Sequence, residues 1–319
     1  MLKYRNPVWE GEFADPFVIK VDTAYYAYGT SRYARSAARG GYAFPILRSD
    51  DLVHWTCVGG AVAAVDDLAY WAPAVAERNG HFYLYYSAGL AADDSTQRLY
   101  VARASDPAGP FVSLAMLLSD DSFCIDAEPF CDPSDGRWYL FFAKDYFDGR
   151  VGTGLAAVAL ADTMDRADGD VVPILKPSAD WHIYARDRTH YGQHWPAWHT
   201  VEGPCVALRS DLYYCFYSGG AWHSDGYGVS YGVAAHPLGP YADDWSMDGP
   251  AVLRTGINGA VGPGHNSLVT GPDGQTDFLV YHAWDAARTT RRMCIDPLFW
   301  TPDGPRCVGP TTTPQTFEI

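Results

Sequence analysis

One unit recurs five times along this 319-residue chain, and the recurrence limits what the chain can fold into. The copies read FVIKVDTAYYAYGT from Phe17, AVAERNGHFYLYYSAG from Ala74, PFCDPSDGRWYLFFAKD from Pro129, PCVALRSDLYYCFYSGG from Pro204 and SLVTGPDGQTDFLVYHAWD from Ser267. Each is a short apolar strand, a polar turn and a strand of alternating aromatics, which is the pattern of a β-hairpin. Tyr25, Tyr83, Trp138, Tyr213 and Phe278 mark the second strands, 55 to 75 residues apart. That spacing leaves room for two further strands per unit, as in YAFPILRSDDLVHWTCVGG and RLYVARASDPAGPFVS. A lone four-stranded sheet cannot hide two apolar faces, so the expected all-β fold is a five-bladed β-propeller of four-stranded antiparallel blades, one domain over residues 1–319. A β-sandwich or two smaller β domains is the alternative. The C-terminal PTTTPQTFEI is expected to return and complete the blade begun near the N-terminus.

Composition narrows the partner. A formal charge of −15 repels phosphates and uronates, which speaks against nucleic acid and anionic substrates and for a neutral ligand. No apolar run reaches the roughly 18 residues of a membrane span, and MLKYRNPVWEGEFADP lacks the features of a secretion signal, so the expected location is cytoplasmic. Seven cysteines, an odd number without a C-x-x-C pair, read as reduced core residues. P-loop, G-x-G-x-x-G and H-E-x-x-H motifs are missing, so the corresponding chemistries have no support.

What stands before each unit carries more information. FADP holds Asp15, WAP Trp71, CIDAEP Asp126, VEGP Glu202 and GPGHNS His265. Taken singly, an Asp-Pro step starts a turn, a Trp packs and a His caps a loop. At the mouths of innermost strands the five converge on one site. Glycosidic cleavage needs one carboxyl protonated to donate to the leaving oxygen and one ionised to activate water. A third negative charge beside the acid helps keep it protonated near neutrality.

FADPFVI, YWAPAV, IDAEPF, VEGP and GPGHNSLV, in this order and at this spacing, resemble glycoside hydrolase family 43, the five-bladed propellers that include α-L-arabinofuranosidases, β-xylosidases and arabinanases. The resemblance covers essentially the whole chain. It implies that Asp15 is the general base, Glu202 the general acid and Asp126 the residue that orients the acid and raises its pKa. It further implies that Arg291 reaches the sugar, that Trp71 and Phe13 belong to the substrate subsite, and that His265 binds a structural calcium ion, with no organic cofactor. IDAEPF departs from the family pattern by placing a second acid, Glu128, beside Asp126.

The expected activity is therefore inverting, exo-acting release of a terminal pentose from a neutral oligosaccharide, by an α-L-arabinofuranosidase or, as the alternative, a β-xylosidase. A silent sugar-binding propeller is the reading from another class, but a binder has no use for three converging carboxylates. A retaining β-fructosidase shares the architecture, yet its Asn-Asp-Pro-Asn segment has no counterpart here. Between the third and fourth units, KPSADWHIYARDRTHYGQHWPAWHTVEGP concentrates Trp181, Tyr184, Tyr191, Trp195 and Trp198 without clean strand alternation, and reads as an aromatic loop walling the site.

Overall fold

The computed structural model describes residues 1–31, 41–118, 123–256 and 259–317, and among them it contains strands and short 3-10 turns but no α-helix. Five antiparallel four-stranded meanders follow one another. Unit I is Ala14–Val21, Ala24–Thr30, Pro45–Ser49 and Thr56–Gly60, and unit II is Leu68–Arg78, His81–Leu90, Arg98–Ala104 and Val112–Leu117. Unit III is Cys124–Cys131, Trp138–Tyr146, Gly152–Ala159 and Val172–Leu175. Unit IV is Gln193–Arg209, Leu212–Gly219, Gly228–Ala234 and Leu253–Arg254, and unit V is Val261–Thr270, Asp277–Trp284, Arg291–Thr301 and Gly304–Cys307.

The aromatic second strands explain how these units associate. Tyr25, Tyr85, Phe142, Phe216 and Tyr281 are fully buried, one from each second strand. Their neighbours come from an adjoining unit, the preceding one for Tyr25, Phe142 and Tyr281 and the following one for Tyr85 and Phe216. One apolar cluster joins Tyr28 to Leu84, another Tyr85 to Leu140, a third Phe141 to Val201, a fourth Phe216 to Leu279, and the fifth joins Val280 back to Val18. The core is thus five inter-unit interfaces that close on themselves, each aromatic side chain contributing roughly 2–3 kcal/mol of burial.

Two features differ from expectation. The C-terminal segment does not enter unit I, whose outer edge Thr56–Gly60 already occupies. Gln315–Phe317 instead pairs with Leu2–Tyr4 as a separate two-stranded sheet. The aromatic stretch before unit IV is not a loop but a hairpin. Ile183–His190 pairs antiparallel with the first half of the 17-residue strand Gln193–Arg209, which runs straight on into unit IV. A short parallel pairing, Gly152 with His199 and Thr153 with Thr200, ties this hairpin to unit III. All seven cysteines are free, as expected, but Cys57 and Cys131 are exposed, so only some are core residues.

The ends are latched by one carboxylate. Fully buried Asp296 of unit V accepts from Tyr4 Oη at 2.9 Å, Tyr281 Oη at 2.7 Å, Asn6 Nδ2 at 3.2 Å, and both the amide and hydroxyl of Thr311 at 2.9 and 2.6 Å.

Each innermost strand also breaks register with its second strand at an equivalent place, Ala14/Phe17, Trp71/Ala74, Ile125/Glu128, Glu202/Cys205 and Gly264/Ser267, and unit V has a further break at Val261/Gly264. Inside each break one residue is left-handed: Asp15 (φ 49°), Ala72 (47°), Asp126 (60°), Gly203 (57°) and His265 (49°). The sequence reading takes Asp15, Trp71, Asp126, Glu202 and His265 as equivalent. The backbone shows instead that Trp71 and Glu202 stand one residue ahead of the bulge position. Four non-glycine residues hold a conformation disfavoured by about 1–2 kcal/mol each, and such strain persists where surrounding structure enforces it.

Replacing Asp296 with alanine removes the acceptor of five buried donor groups. The expected loss is about 3 kcal/mol or more of stability, read as a clear fall in melting temperature; a variant that melts with the wild type would show that the latch contributes nothing.

Candidate active site

The bulges turn side chains from all five units into one cavity of about 540 Å³. Asp15, Trp71, Asp126, Glu202, His265 and Arg291 all line it, so six of the seven site residues read from sequence meet in space. Phe13 does not. Its ring is fully buried in the unit V/unit I cluster and packs over Gly29; regular alternation would put residues 13 and 15 on one face, and the left-handed backbone at Asp15 breaks that alternation. Its amide still serves the site, donating to the Arg291 carbonyl at 2.8 Å. Glu128, the extra acid beside Asp126, also lies outside the cavity lining, which leaves Asp126 as the carboxylate of that motif that faces the site.

Of the acids lining the cavity, Asp15, Asp126 and Glu202 all feel one cation, Arg291. Arg291 Nη1 approaches Asp15 Oδ1 at 3.2 Å, and the guanidinium lies over the Trp222 ring at 4.7 Å. Trp222 and Trp284 stack at 5.8 Å. Burial alone would raise Asp15, but the Arg291 charge, with His265 and His282 beside it, outweighs burial and holds the carboxyl well below its ordinary range. Both imidazoles are themselves depressed by burial, His282 to about 4, so near neutrality Arg291 is the charge that matters.

Glu202 goes the other way. Burial first, then the negative charge of Asp15, push it up to about 7, against the hydrogen bond from Tyr227 Oη at 2.8 Å and the pull of Arg291. Asp126 is raised by burial, by Glu202 and by Asp15, while its Oδ2 accepts the Gly203 amide at 3.0 Å. The sequence reading assigns the push on Glu202 to Asp126. Burial and Asp15 are the larger causes at Glu202, and the repulsion within the Asp126–Glu202 pair raises Asp126. The arrangement can therefore hold one carboxylate ionised and a neighbouring carboxyl protonated at the same pH, as acid–base cleavage needs.

His265 Nδ1 lies 3.5 Å from Asp15 Oδ1 and 3.9 Å from Asp126 Oδ2. Only a glycine at position 203 leaves room for its ring, since a Cβ there would sit 3.2 Å from it. These residues fit calcium poorly. The ion prefers six to eight oxygens, and among the described residues no group of three or more His, Cys, Asp or Glu side chains gathers with metal-ligand spacing.

Sequence reasoning missed several lining groups. Trp284 ends the second strand of unit V, in YHAWD, and Trp222 lies just past that of unit IV, in SGGAWH, and a tryptophan near the same strand end in both units was the available signal. The hairpin contributes Tyr184 and Trp198, two of the aromatics expected to wall the site, and adds the unforeseen Arg188 and His190, with the Arg188 guanidinium over the Tyr184 and Trp198 rings at 5.0 and 5.1 Å. Unit III adds Asp145, which accepts from Thr153 at 2.9 Å and Tyr191 at 2.6 Å.

The fold and this cavity define a carbohydrate-cleaving β-protein. The model for Glycosyl hydrolases family 43 matches residues 4–305, and the chain belongs to that family. It is similar to the β-D-galactofuranosidase xynD of Aspergillus niger, 30% identical with 95% of this chain and 84% of that protein covered. The extracellular exo-α-(1→5)-L-arabinofuranosidase ArbA of Cellvibrio japonicus is 26% identical over 91% of this chain and 84% of its own length. Among solved structures, a thermostable family-43 glycoside hydrolase superposes with a TM-score of 0.83 at 30% identity, covering 98% of each chain. The protein is a glycoside hydrolase with the β-propeller fold of this family.

If Glu202 must be protonated to work, activity falls as pH rises through about 7. Tyr227 donates to the ionised form, so Tyr227→Phe is expected to move this descending limb to higher pH while the acidic limb, set by Asp15, stays in place. A pH profile of kcat/KM checks this, and a limb that moves down or not at all contradicts it.

Proposed function

We propose that the five meanders are the blades of a five-bladed propeller forming one catalytic domain, and that its cavity releases a terminal furanose, most directly α-L-arabinofuranose, from the non-reducing end of a neutral oligosaccharide with inversion. Asp15 is the base that deprotonates water, Glu202 the acid that protonates the leaving oxygen, and Asp126 the partner that holds the Gly203 amide and keeps the acid's carboxyl in place. The observation that carries this reading is the opposite displacement of two carboxyls in one cavity, Asp15 held well below its ordinary range and Glu202 raised to about 7. The cyclic set of inter-unit clusters supports the five blades.

Each step uses residues already placed. Arg291 keeps Asp15 ionised and offers donors to the hydroxyls of the bound sugar. Trp71 and the paired Trp222 and Trp284 supply the apolar faces on which a sugar ring stacks. Water activated by Asp15 attacks the anomeric carbon from the side opposite the leaving group, and Glu202 passes its proton to the departing oxygen. Both carboxyls then exchange protons with solvent to reset. The hairpin residues Tyr184 and Trp198 wall the cavity on one side, which suits a chain end better than the middle of a polymer.

The similarity to a β-D-galactofuranosidase favours a second reading, a galactofuranosidase. The two furanosides share their ring configuration and differ in the group on C4, so one pocket chemistry serves either. The deciding assay compares nitrophenyl α-L-arabinofuranoside, β-D-galactofuranoside and β-D-xyloside. Highest kcat/KM on the first supports the proposal, on the second the galactofuranosidase, and on the third the β-xylosidase.

Asp15→Ala, Asp126→Ala and Glu202→Ala are each expected to lower kcat by on the order of 10²-fold or more with the fold retained. Loss of the acid hurts poor leaving groups most, so Glu202→Ala should spare a nitrophenyl glycoside relative to a natural disaccharide. Equal loss on both substrates would remove Glu202 from the acid's role. Proton NMR of the first-formed anomer tests inversion, and early release of internal fragments from linear oligosaccharides would overturn the exo reading.

A further inference from the structure

The amide of every left-handed bulge residue has a specific acceptor. Ala72 donates to Thr30 Oγ1 at 2.8 Å, Asp126 to Ser87 Oγ at 3.1 Å, His265 to Ser218 Oγ at 2.7 Å and Asp15 to His282 Nδ1 at 3.1 Å. Those acceptors occupy one position on four second strands, paired with Ala14, Trp71, Glu202 and Gly264, the residues that open each register break. Each therefore clamps the bulge of the unit that follows, and His282 of unit V clamps unit I. The fifth slot, paired with Ile125, holds Ala143, which has no acceptor to offer. The amide it would serve, Gly203, goes to the Asp126 carboxylate instead.

His282 differs in kind from the three hydroxyls. Because Nδ1 accepts the Asp15 amide, the ring proton sits on Nε2, which is buried and has no partner among the described residues. The same Nδ1 is 3.3 Å from Asp15 Oδ1, so a proton there would favour the carboxylate and break the amide contact. A hydroxyl could rotate to suit; this ring is held by stacking on Tyr227 at 5.9 Å and 9°. Tyr227 in turn donates to Glu202. One stacked pair thus reaches the backbone of the base and the carboxyl of the acid.

We propose that His282 is a positioning residue for hydrolysis: it clamps the Asp15 amide and, through its stack on Tyr227, fixes the base relative to the acid. This rests on the assignment of Asp15 and Glu202 made above. The clamp touches no substrate, so its loss should appear in kcat and not in binding. Misplacing a reacting group by about 1 Å can lower rate on the order of 10²-fold.

The test compares His282→Ala, His282→Asn and His282→Ser in kcat, KM and melting temperature, with Asp15→Ala assayed alongside in the presence and absence of azide. His282→Ala is expected to lose on the order of 10²-fold in kcat with KM nearly unchanged. Asn or Ser, whose side-chain oxygens can accept the amide, should recover most of that loss even if they melt no higher. A folded His282→Ala with wild-type kcat overturns the proposal, as do Asn and Ser variants no better than Ala. If His282→Ala does not fold, the Asn and Ser variants decide alone: near wild-type kcat in either supports the clamp, and 10²-fold loss in both rejects it. Asp15→Ala with normal turnover would sink the assignment of the base itself, whereas an inactive, azide-rescued Asp15→Ala beside a wild-type-like His282→Ala rejects only the clamp.

Discussion

One extra residue in each innermost strand determines where everything else in this protein can act. A regular strand alternates its side chains between the two faces of its sheet and would bury them between units. The bulge interrupts that alternation and turns Asp15, Asp126 and His265 toward the common cavity, while the residues just ahead of it, Trp71 and Glu202, are delivered there in the other two units. The left-handed backbone this demands is unfavourable for residues with a Cβ, and the inter-unit hydrogen bonds to the five amides hold it. Packing between units and geometry of the site are consequently one problem: the same contacts that close the core also set the carboxyls.

Within that frame the electrostatics follow from a shortage of positive charge. Asp15, Asp126 and Glu202 are buried within the influence of the same arginine, Arg291, and the imidazoles nearby are kept neutral by burial. Arg291 sits against Asp15, so Asp15 takes the ionised state and its own negative charge helps keep a proton on Glu202. Contact with that guanidinium on one side, and burial on the other, decide which carboxyl gives up its proton and which keeps it.

The five-unit architecture was legible because aromatic side chains on second strands repeat at a period that only stacked sheets use. Asp15, Trp71, Asp126, Glu202 and His265 were legible for a related reason, since turn-like motifs preceding each unit lie at or next to one position in the fold, whereas Arg291 was legible only through the family resemblance. The details that escaped are those where neighbouring units decide the outcome. Phe13 is next but one to Asp15 in sequence and faces the opposite way. The hairpin before unit IV lies half-covered, leaving Ile183–His190 with no clean alternation of buried and exposed positions, so its strands carry no period-two signal. Tyr227 and His282 look like ordinary strand aromatics until the adjoining unit is in place. The one-residue offset of Trp71 and Glu202 needs backbone angles to be seen at all.

The latch at Asp296 gives the molecule a direction in time. Tyr4 reaches a partner 292 residues further along, and Asp15 meets its arginine 276 residues away. A chain emerging from the ribosome can pair the strands of each early unit as they appear, because those contacts are local. It cannot close the ring, or bring base and guanidinium together, until the final unit has been made. During synthesis the site therefore stays unfinished until unit V has been made, and the contacts that complete it join unit I and the segment before it to the last of the five units.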